Sequence, residues 1–317
     1  MRGIFVDATE EMAAVFRRVA RPDDPEILLR VAPEVAADEL PGLLEGHQVV
    51  QNDHTCMPTG AMRRCAGLRH VVFLGTGARS YMDPEALAAA GITVHIIRGY
   101  GDIAVAEHTI ALMWAAARGL AEMDRAIRAG DWPRREGMQL TGRTIGLLGF
   151  GGIAAEVARI AAGAGMRVLA WNRTPRTAAG VTFVDADTLL AASDVLSLHL
   201  LLTGETRGFL SAARIARLRP GAILVNTARG ALVDEDAMVA ALRSGAIRHA
   251  ALDVFSEEPL PAGHVLTTLP NVTLSAHSAF RTPEASETLL RRALDIARGL
   301  AAGEPASAPL PPPFRSD

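Results

Sequence analysis

Through residues 1–101, short apolar runs alternate with stretches whose apolar residues recur at helical spacing. The runs at 3–6, 27–31, 48–51, 71–74 and 93–97 predict strands, and the spacing over 9–19, 34–45, 58–66 and 84–90 predicts connecting helices. Such alternation predicts a parallel sheet flanked by helices. The stretch 104–117 is apolar nearly all round, which predicts a buried helix. Glu107 and His108 near its start read as structural polar groups, and Asp131, Trp132 and Pro133 as an extended arm. Further apolar runs at 144–148, 167–171, 195–199, 222–226, 250–254 and 272–275 predict a second, doubly wound sheet of about six strands. Helical spacing over 284–302 predicts a long C-terminal helix, which the proline-rich tail 305–313 cannot continue.

The second half is organised around Gly149-Phe-Gly151-Gly152-Ile153-Ala154, which follows one strand and opens a helix. Gly149 permits a tight turn, and Gly151 lets the backbone approach a pyrophosphate. The helix N-terminus beyond offers unpaired N–H groups and a favourable dipole to the anion. With the strand at 167–171 the segment closes a β-α-β unit of roughly the 30 residues such a site needs.

In open α/β sheets, ligands bind beyond the carboxyl ends of the strands. Three polar sequences lie there: Asn226-Thr227-Ala228-Arg229-Gly230, Asp253-Val-Phe-Ser-Glu-Glu258-Pro259 and His277-Ser-Ala279. Any one alone reads as a solvated turn. Together they offer what reversible hydride transfer to a 2-keto acid requires. A histidine protonates the carbonyl oxygen, because imidazole titrates near pH ~6.5. A carboxylate beside an imidazole favours its charged form and orients the ring. An arginine holds the substrate carboxylate by two prongs. In the first half, the glycine turn 74–79 is rich in backbone donors and suits an anion nest around Thr76 and Gly77.

Composition narrows the function. At 317 residues the chain has room for two domains. Its net charge of -3 argues against a nucleic-acid or anionic-membrane surface. No apolar run approaches the ~20 residues that span a bilayer. Cys56 and Cys65 are its only cysteines and form no metal-type cluster, so they read as reduced thiols of a cytoplasmic protein without a metal site.

The chain resembles the D-isomer-specific 2-hydroxyacid dehydrogenases. The motifs that carry the resemblance are Val105-Ala-Glu-His108, Gly149-Phe-Gly-Gly-Ile153, His199-Leu-Leu-Leu-Thr-Gly-Glu-Thr206, Asn226-Thr-Ala-Arg-Gly230, Asp253-Val-Phe-Ser-Glu-Glu-Pro259 and His277-Ser-Ala279. The resemblance implies an α/β fold of two Rossmann-like or flavodoxin-like parallel-sheet domains with a cleft between them, paired as a homodimer. Residues 1–101 would bind substrate, 102–280 the dinucleotide, and 281–317 would return to the first domain. Arg229 is implied as the substrate and carbonyl binder, Glu258 as the partner carboxylate and His277 as general acid/base. Cofactor contacts are expected from Gly149, Gly151, Gly152, Ile153, Asn172, Arg173, Thr174, Leu200, Thr206, Thr227, Ala228, Asp253 and Ala279. Thr76 and Gly77 join Arg229 as expected substrate contacts.

Departures from the family pattern are local. Leu201 and Gly204 stand where proline is usual, which bears on the stiffness of that loop. The substrate loop 75–83 lacks the usual Asp-Asn pair and carries Arg79, Ser80 and Tyr81, candidates for altered substrate choice. Glu258 argues against the formate dehydrogenase branch, which has glutamine there. Asn172 offers no acid to a ribose 2′-hydroxyl, and Arg173 and Arg176 are adjacent cations, so NADP is favoured over NAD. The expected activity is reduction of a small 2-keto acid of the glyoxylate or hydroxypyruvate type. The alternatives are a 3-phosphoglycerate dehydrogenase and a dinucleotide-sensing binding protein.

Overall fold

The computed structural model describes residues 1–174 and 176–303, and the proline-rich stretch 305–313 lies outside them. The chain divides into two compact units, one comprising Met1–Gly101 with the segment from Thr282 onward, the other Asp102–Arg281.

The first unit contains β1 (Gly3–Ala8), α1 (Glu10–Val19), β2 (Ile27–Val31), α2 (Leu40–Leu43), β3 (Val49–Asn52), α3 (Thr59–Met62), β4 (His70–Phe73), α4 (Pro84–Ala89) and β5 (Thr93–Ile96). Its sheet runs β2-β1-β3-β4-β5 with every pairing parallel. β1 and β3 are buried throughout, as strands covered on both faces must be. The helix expected over 34–45 shrinks to α2. Pro41 lacks an N–H and its ring collides with a carbonyl four residues back, so the helix cannot begin that early.

The second unit contains α5 (Asp102–Arg118), α6 (Leu120–Arg128), β6 (Thr144–Leu148), α7 (Gly152–Gly163), β7 (Arg167–Trp171), β8 (Val181–Phe183), α8 (Ala186–Ala192), β9 (Val195–Leu198), α9 (Ala212–Ile215), β10 (Ala222–Asn226), α10 (Glu235–Ser244), β11 (Ile247–Leu252) and β12 (Val272–Leu274). The sheet order is β12-β11-β10-β9-β6-β7-β8, all parallel, so it has seven strands rather than six. The added strand is β8, an edge strand of three residues, too short to show a period of two. Chain order reverses between β6 and β9, the crevice where ligands bind in such sheets.

One long helix braces each sheet. α5 buries Ala106, Ile110, Met113 and Ala117 in one core with Val157, Ala158, Val225 and Ala251, which locks it to α7 and the centre of the second sheet. The last helix, α11 (Pro283–Ala301), belongs to the first unit. Thr282 caps it by accepting from Ala285 N, and Pro283 fits the first turn because its missing N–H would have been unpaired there. Leu289, Leu290, Ala293 and Leu294 pack with Phe5, Ala13, Phe16 and Val72, each buried leucine contributing about 1.5–3 kcal/mol. The Arg291 guanidinium meets Asp24 at 2.5 Å and holds that carboxyl below its usual range. No helix among the described residues is long and apolar enough to cross a membrane.

Candidate active site

Each catalytic candidate sits just past a strand. After β10, buried Asn226 closes the turn by itself: its Oδ1 accepts from Ala228 N at 3.0 Å and its Nδ2 donates to Arg229 O at 2.9 Å. Arg229 is extended and half-buried, with Nη1 donating to Ala228 O at 2.6 Å. The next residue must be glycine, because a Cβ on Gly230 would overlap the Phe255–Ser256 backbone. The Arg229 turn therefore lies directly on the loop after β11. In that loop Glu258 Oε1 accepts from Phe255 N at 2.8 Å, and Oε2 lies 2.6 Å from His277 Nδ1.

His277 has φ 48, the left-handed region that costs a non-glycine residue about 1–3 kcal/mol. Asp253 holds it there. The backbone carbonyl of Asp253 accepts from His277 N at 2.8 Å. Its buried carboxylate accepts from Ser278 N at 3.0 Å, Ala279 N at 3.0 Å and Ser275 Oγ at 2.6 Å. Hydrogen bonds to a charged group are worth about 1.5–3 kcal/mol each, enough together to hold the strained turn.

Burial pushes the Glu258 carboxyl up. The hydrogen bonds from His277 and Phe255 N, with the charges of His277 and Arg229, outweigh burial and hold the carboxyl below the usual glutamate range. A carboxylate, an imidazole that uses Nδ1 to meet it, and a guanidinium thus share one constellation. The contact with Glu258 uses Nδ1 of the ring and not Nε2.

The crevice suits a dinucleotide phosphate. Gly149 has φ 96, and a Cβ there would lie 2.7 Å from His199 O. Gly151 precedes α7 without a side-chain cap, and a Cβ there would meet no atom within 4 Å. α7 carries no acidic residue in its own first turn, and its first N–H groups have no partner within the helix, a feature that suits an anion. Gly152 makes room for the Asp102 carboxylate, and Ile153 packs into the core.

At the end of β7 the Asn172 side chain is used internally, accepting from Phe150 N at 3.2 Å and donating to Thr174 O at 2.8 Å. Arg173 pairs with Glu205 at 3.0 Å, both about half exposed, and Arg176 is exposed. Leu200 is half-buried beside this loop. Thr206 replaces the absent prolines as a stiffener: its hydroxyl donates to Leu201 O at 2.6 Å and accepts from Thr203 N at 2.8 Å.

Thr227 and Asp253, expected at the cofactor, spend their side chains inside the protein, Thr227 against Thr109 at 2.8 Å and Asp253 on the His277 loop. Thr76, exposed, and Gly77 belong to the other unit, in the loop after β4. Arg79 in that loop is clamped by Glu85 through two contacts of 2.5 and 2.6 Å. Sequence reasoning does not single out Asn226 as the closure of its turn, nor Ser275 or Glu205. Asn226 alone carries a signal, a polar residue ending an apolar strand.

Residues 110–279 match the model of the D-isomer specific 2-hydroxyacid dehydrogenase NAD binding domain. The chain belongs to the D-isomer specific 2-hydroxyacid dehydrogenase family. It is an NAD(P)-dependent oxidoreductase that interconverts 2-keto and D-2-hydroxy acids. Among relatives of this dehydrogenase, a glycerate dehydrogenase of Methylorubrum extorquens is 32% identical over 278 residues, 84% of this chain and 87% of that one. A glyoxylate reductase of Aeropyrum pernix is 42% identical over 234 residues, 70% of this chain and 69% of that one. A solved acyclic imino acid reductase (Bsp5), in complex with NADPH and D-Arg, superposes with a TM-score of 0.84 at 26% identity, covering 96% of this chain and 98% of that one.

Proposed function

We propose that this dehydrogenase reduces a small 2-keto acid of the glyoxylate or hydroxypyruvate type, with NADPH preferred over NADH. The observation that carries the chemistry is the 2.6 Å contact between Glu258 and His277 Nδ1, beside Arg229. A bound nicotinamide supplies the hydride. Arg229 holds the substrate carboxylate and polarises the carbonyl. His277 delivers the proton from Nε2 to the carbonyl oxygen, and Glu258 fixes the ring through Nδ1. The loop at Thr76 and Gly77 offers backbone donors of the kind that bind a carboxylate.

Gly149, Gly151, Gly152 and Ile153 would seat the pyrophosphate. Thr174, Leu200, Thr206, Thr227, Ala228, Asp253 and Ala279 would line the nucleotide through backbone groups or by shaping the loops that touch it. The NADPH preference is supported by an uncharged Asn172 and the cations Arg173 and Arg176, with Glu205 as a competing carboxylate. We also place the enzyme in the cytoplasm as a homodimer. Ile103, Leu120, Ile127 and Trp132 are more than half exposed and fall within residues 103–132, apolar side chains that a second copy would cover.

The deciding experiment is a reductase screen of 2-keto acids with both cofactors. Turnover of glyoxylate or hydroxypyruvate is the expected result, and turnover of none would favour a dinucleotide-sensing role instead.

A further inference from the structure

Two consecutive residues of α5 reach the two catalytic loops. His108 Nε2 lies 2.9 Å from Ser275 Oγ and 3.5 Å from Asp253 Oδ1, at the base of the loop that carries His277. Thr109 Oγ1 lies 2.8 Å from Thr227 Oγ1, at the base of the turn that carries Arg229. Thr109 is 1% exposed and Thr227 9%, so that bond is dry.

Counting protons fixes the direction of both links. Asp253 accepts from Ser275 Oγ, Ser278 N and Ala279 N, so it is the ionised sink of its cluster. Burial pushes its carboxyl up, but hydrogen bonds from His108, Ser275, Ser278 and Ala279 outweigh that and hold it below the usual aspartate range. Ser275 has one proton and spends it on Asp253, so His108 must donate from Nε2 to Ser275. Thr109 spends its single proton on Val105 O at 2.7 Å, so Thr227 must donate to Thr109. Each loop is thus tied to α5 by a hydrogen bond of determined polarity. α5 itself is locked in the core by Ala106, Ile110 and Met113.

We propose that His108 and Thr109 are positioning residues that make α5 a yoke, His108 setting the proton-donor loop of His277 and Thr109 the substrate-clamp turn of Arg229. The proposal rests on the roles assigned to His277 and Arg229. It separates the two residues kinetically. The His277 loop acts on the proton transferred in the transition state, so a fault there lowers kcat. The Arg229 turn holds the substrate carboxylate before and during reaction besides polarising the carbonyl, so a fault there raises KM more than it lowers kcat.

The test is steady-state reduction of glyoxylate by the full-length enzyme with its preferred cofactor, for His108→Leu, His108→Gln, Thr109→Val and Thr109→Ser. Thermal midpoints and cofactor titration accompany the kinetics. His108→Leu removes the donor at similar volume and should lower kcat roughly 10–100-fold with keto-acid KM nearly unchanged, the scale of a catalytic group displaced by about 1 Å. Thr109→Val should raise keto-acid KM about tenfold and leave kcat within about threefold, the size of one lost hydrogen bond. His108→Gln keeps an N–H at the same reach and Thr109→Ser keeps the hydroxyl, so each should recover most of its loss.

Equal shifts of one parameter in both apolar variants would overturn the yoke. So would losses that the conservative variants do not recover, or full activity in His108→Leu. If an apolar variant does not fold, its conservative counterpart decides: wild-type kinetics from a folded His108→Gln supports the donor role, and collapsed kcat overturns it. His277→Ala run alongside separates the two levels. Undiminished turnover in His277→Ala removes the acid/base reading itself, whereas its loss together with a fully active His108→Leu removes only the yoke.

Discussion

Glu258 Oε2 lies 2.6 Å from His277 Nδ1, while Glu258 Oε1 takes the Phe255 N–H at 2.8 Å. One carboxylate therefore spends both oxygens, one on the imidazole and one on its own loop. The ring cannot turn without breaking a charge-assisted bond.

His277→Ala should lower kcat for keto-acid reduction about 10²–10⁴-fold while cofactor affinity stays nearly constant. A loss below tenfold, measured at saturating cofactor, would remove His277 from the proton transfer.

The Glu258 carboxyl is held below its ordinary range, so the pair should survive as pH falls through ~4.3, the free glutamate value. A depressed carboxylate contributes stability that is present above its unfolded pKa and lost only as pH falls through the lower folded value. Carboxyl carbon-13 shifts of labelled glutamate, assigned with Glu258→Gln, give the midpoint directly. A midpoint at or above ~4.3 contradicts the prediction.

Arg173 and Glu205 form a half-exposed pair at 3.0 Å where a 2′-phosphate would compete for the guanidinium. Arg173→Ala should shrink the NADPH over NADH preference in kcat/KM by about the 1.5–3 kcal/mol of a charged hydrogen bond, less whatever solvent screens. Glu205→Gln should widen it. An enzyme that prefers NADH, or a Glu205→Gln variant with unchanged preference, would exclude the phosphate role.

Arg79 is clamped by Glu85, and that bond raises the arginine's pKa and lowers the carboxyl's. Its charge is therefore largely spent, and Arg79→Ala should change KM for glyoxylate and for a keto acid bearing a second anion by the same small factor. A selective rise for the doubly anionic substrate would show that Arg79 leaves Glu85 to bind it.

His95 and His249 are buried and held neutral, each pushed by burial down to about 4. In the unfolded chain both would protonate near ~6.5, so the unfolded state takes up more protons as pH falls from ~6.5 toward 4 and stability drops across that window. Each contributes up to about 1.4 kcal/mol per pH unit there. Urea unfolding at pH 7, 6 and 5 should show the decline, and His249→Gln, which keeps a partner for Thr273, should flatten it. An unchanged slope in that variant would mean His249 protonates in the folded state.

Much of this enzyme is legible in one dimension because its information is local. A buried parallel strand needs a run of branched apolar residues, and a phosphate turn needs glycine where φ is positive, so the strands of both sheets and Gly149 stand out. Short elements do not: β8 is shorter than the period that would mark it, and α2 is cut back by Pro41.

The sequence by itself determined which chemistry is present: an arginine, a glutamate and a histidine, each at the end of its own strand, and a dinucleotide turn before a helix. Only the tertiary structure decided what each polar side chain does with its hydrogen bonds. By its motif Asp253 reads as a cofactor contact, and only the fold shows that its carboxylate braces the strained turn of His277. By its loop Arg79 reads as a candidate for altered substrate choice, and only the fold shows that Glu85 pairs with it. His108 reads as a structural polar group, and only the fold shows that its partner is a serine 167 residues further along the chain. The reason is physical. Apolar patterning reports burial, which a residue type and its neighbours largely set, whereas a hydrogen bond depends on a partner brought within about 3 Å by the fold, and no local pattern encodes that partner.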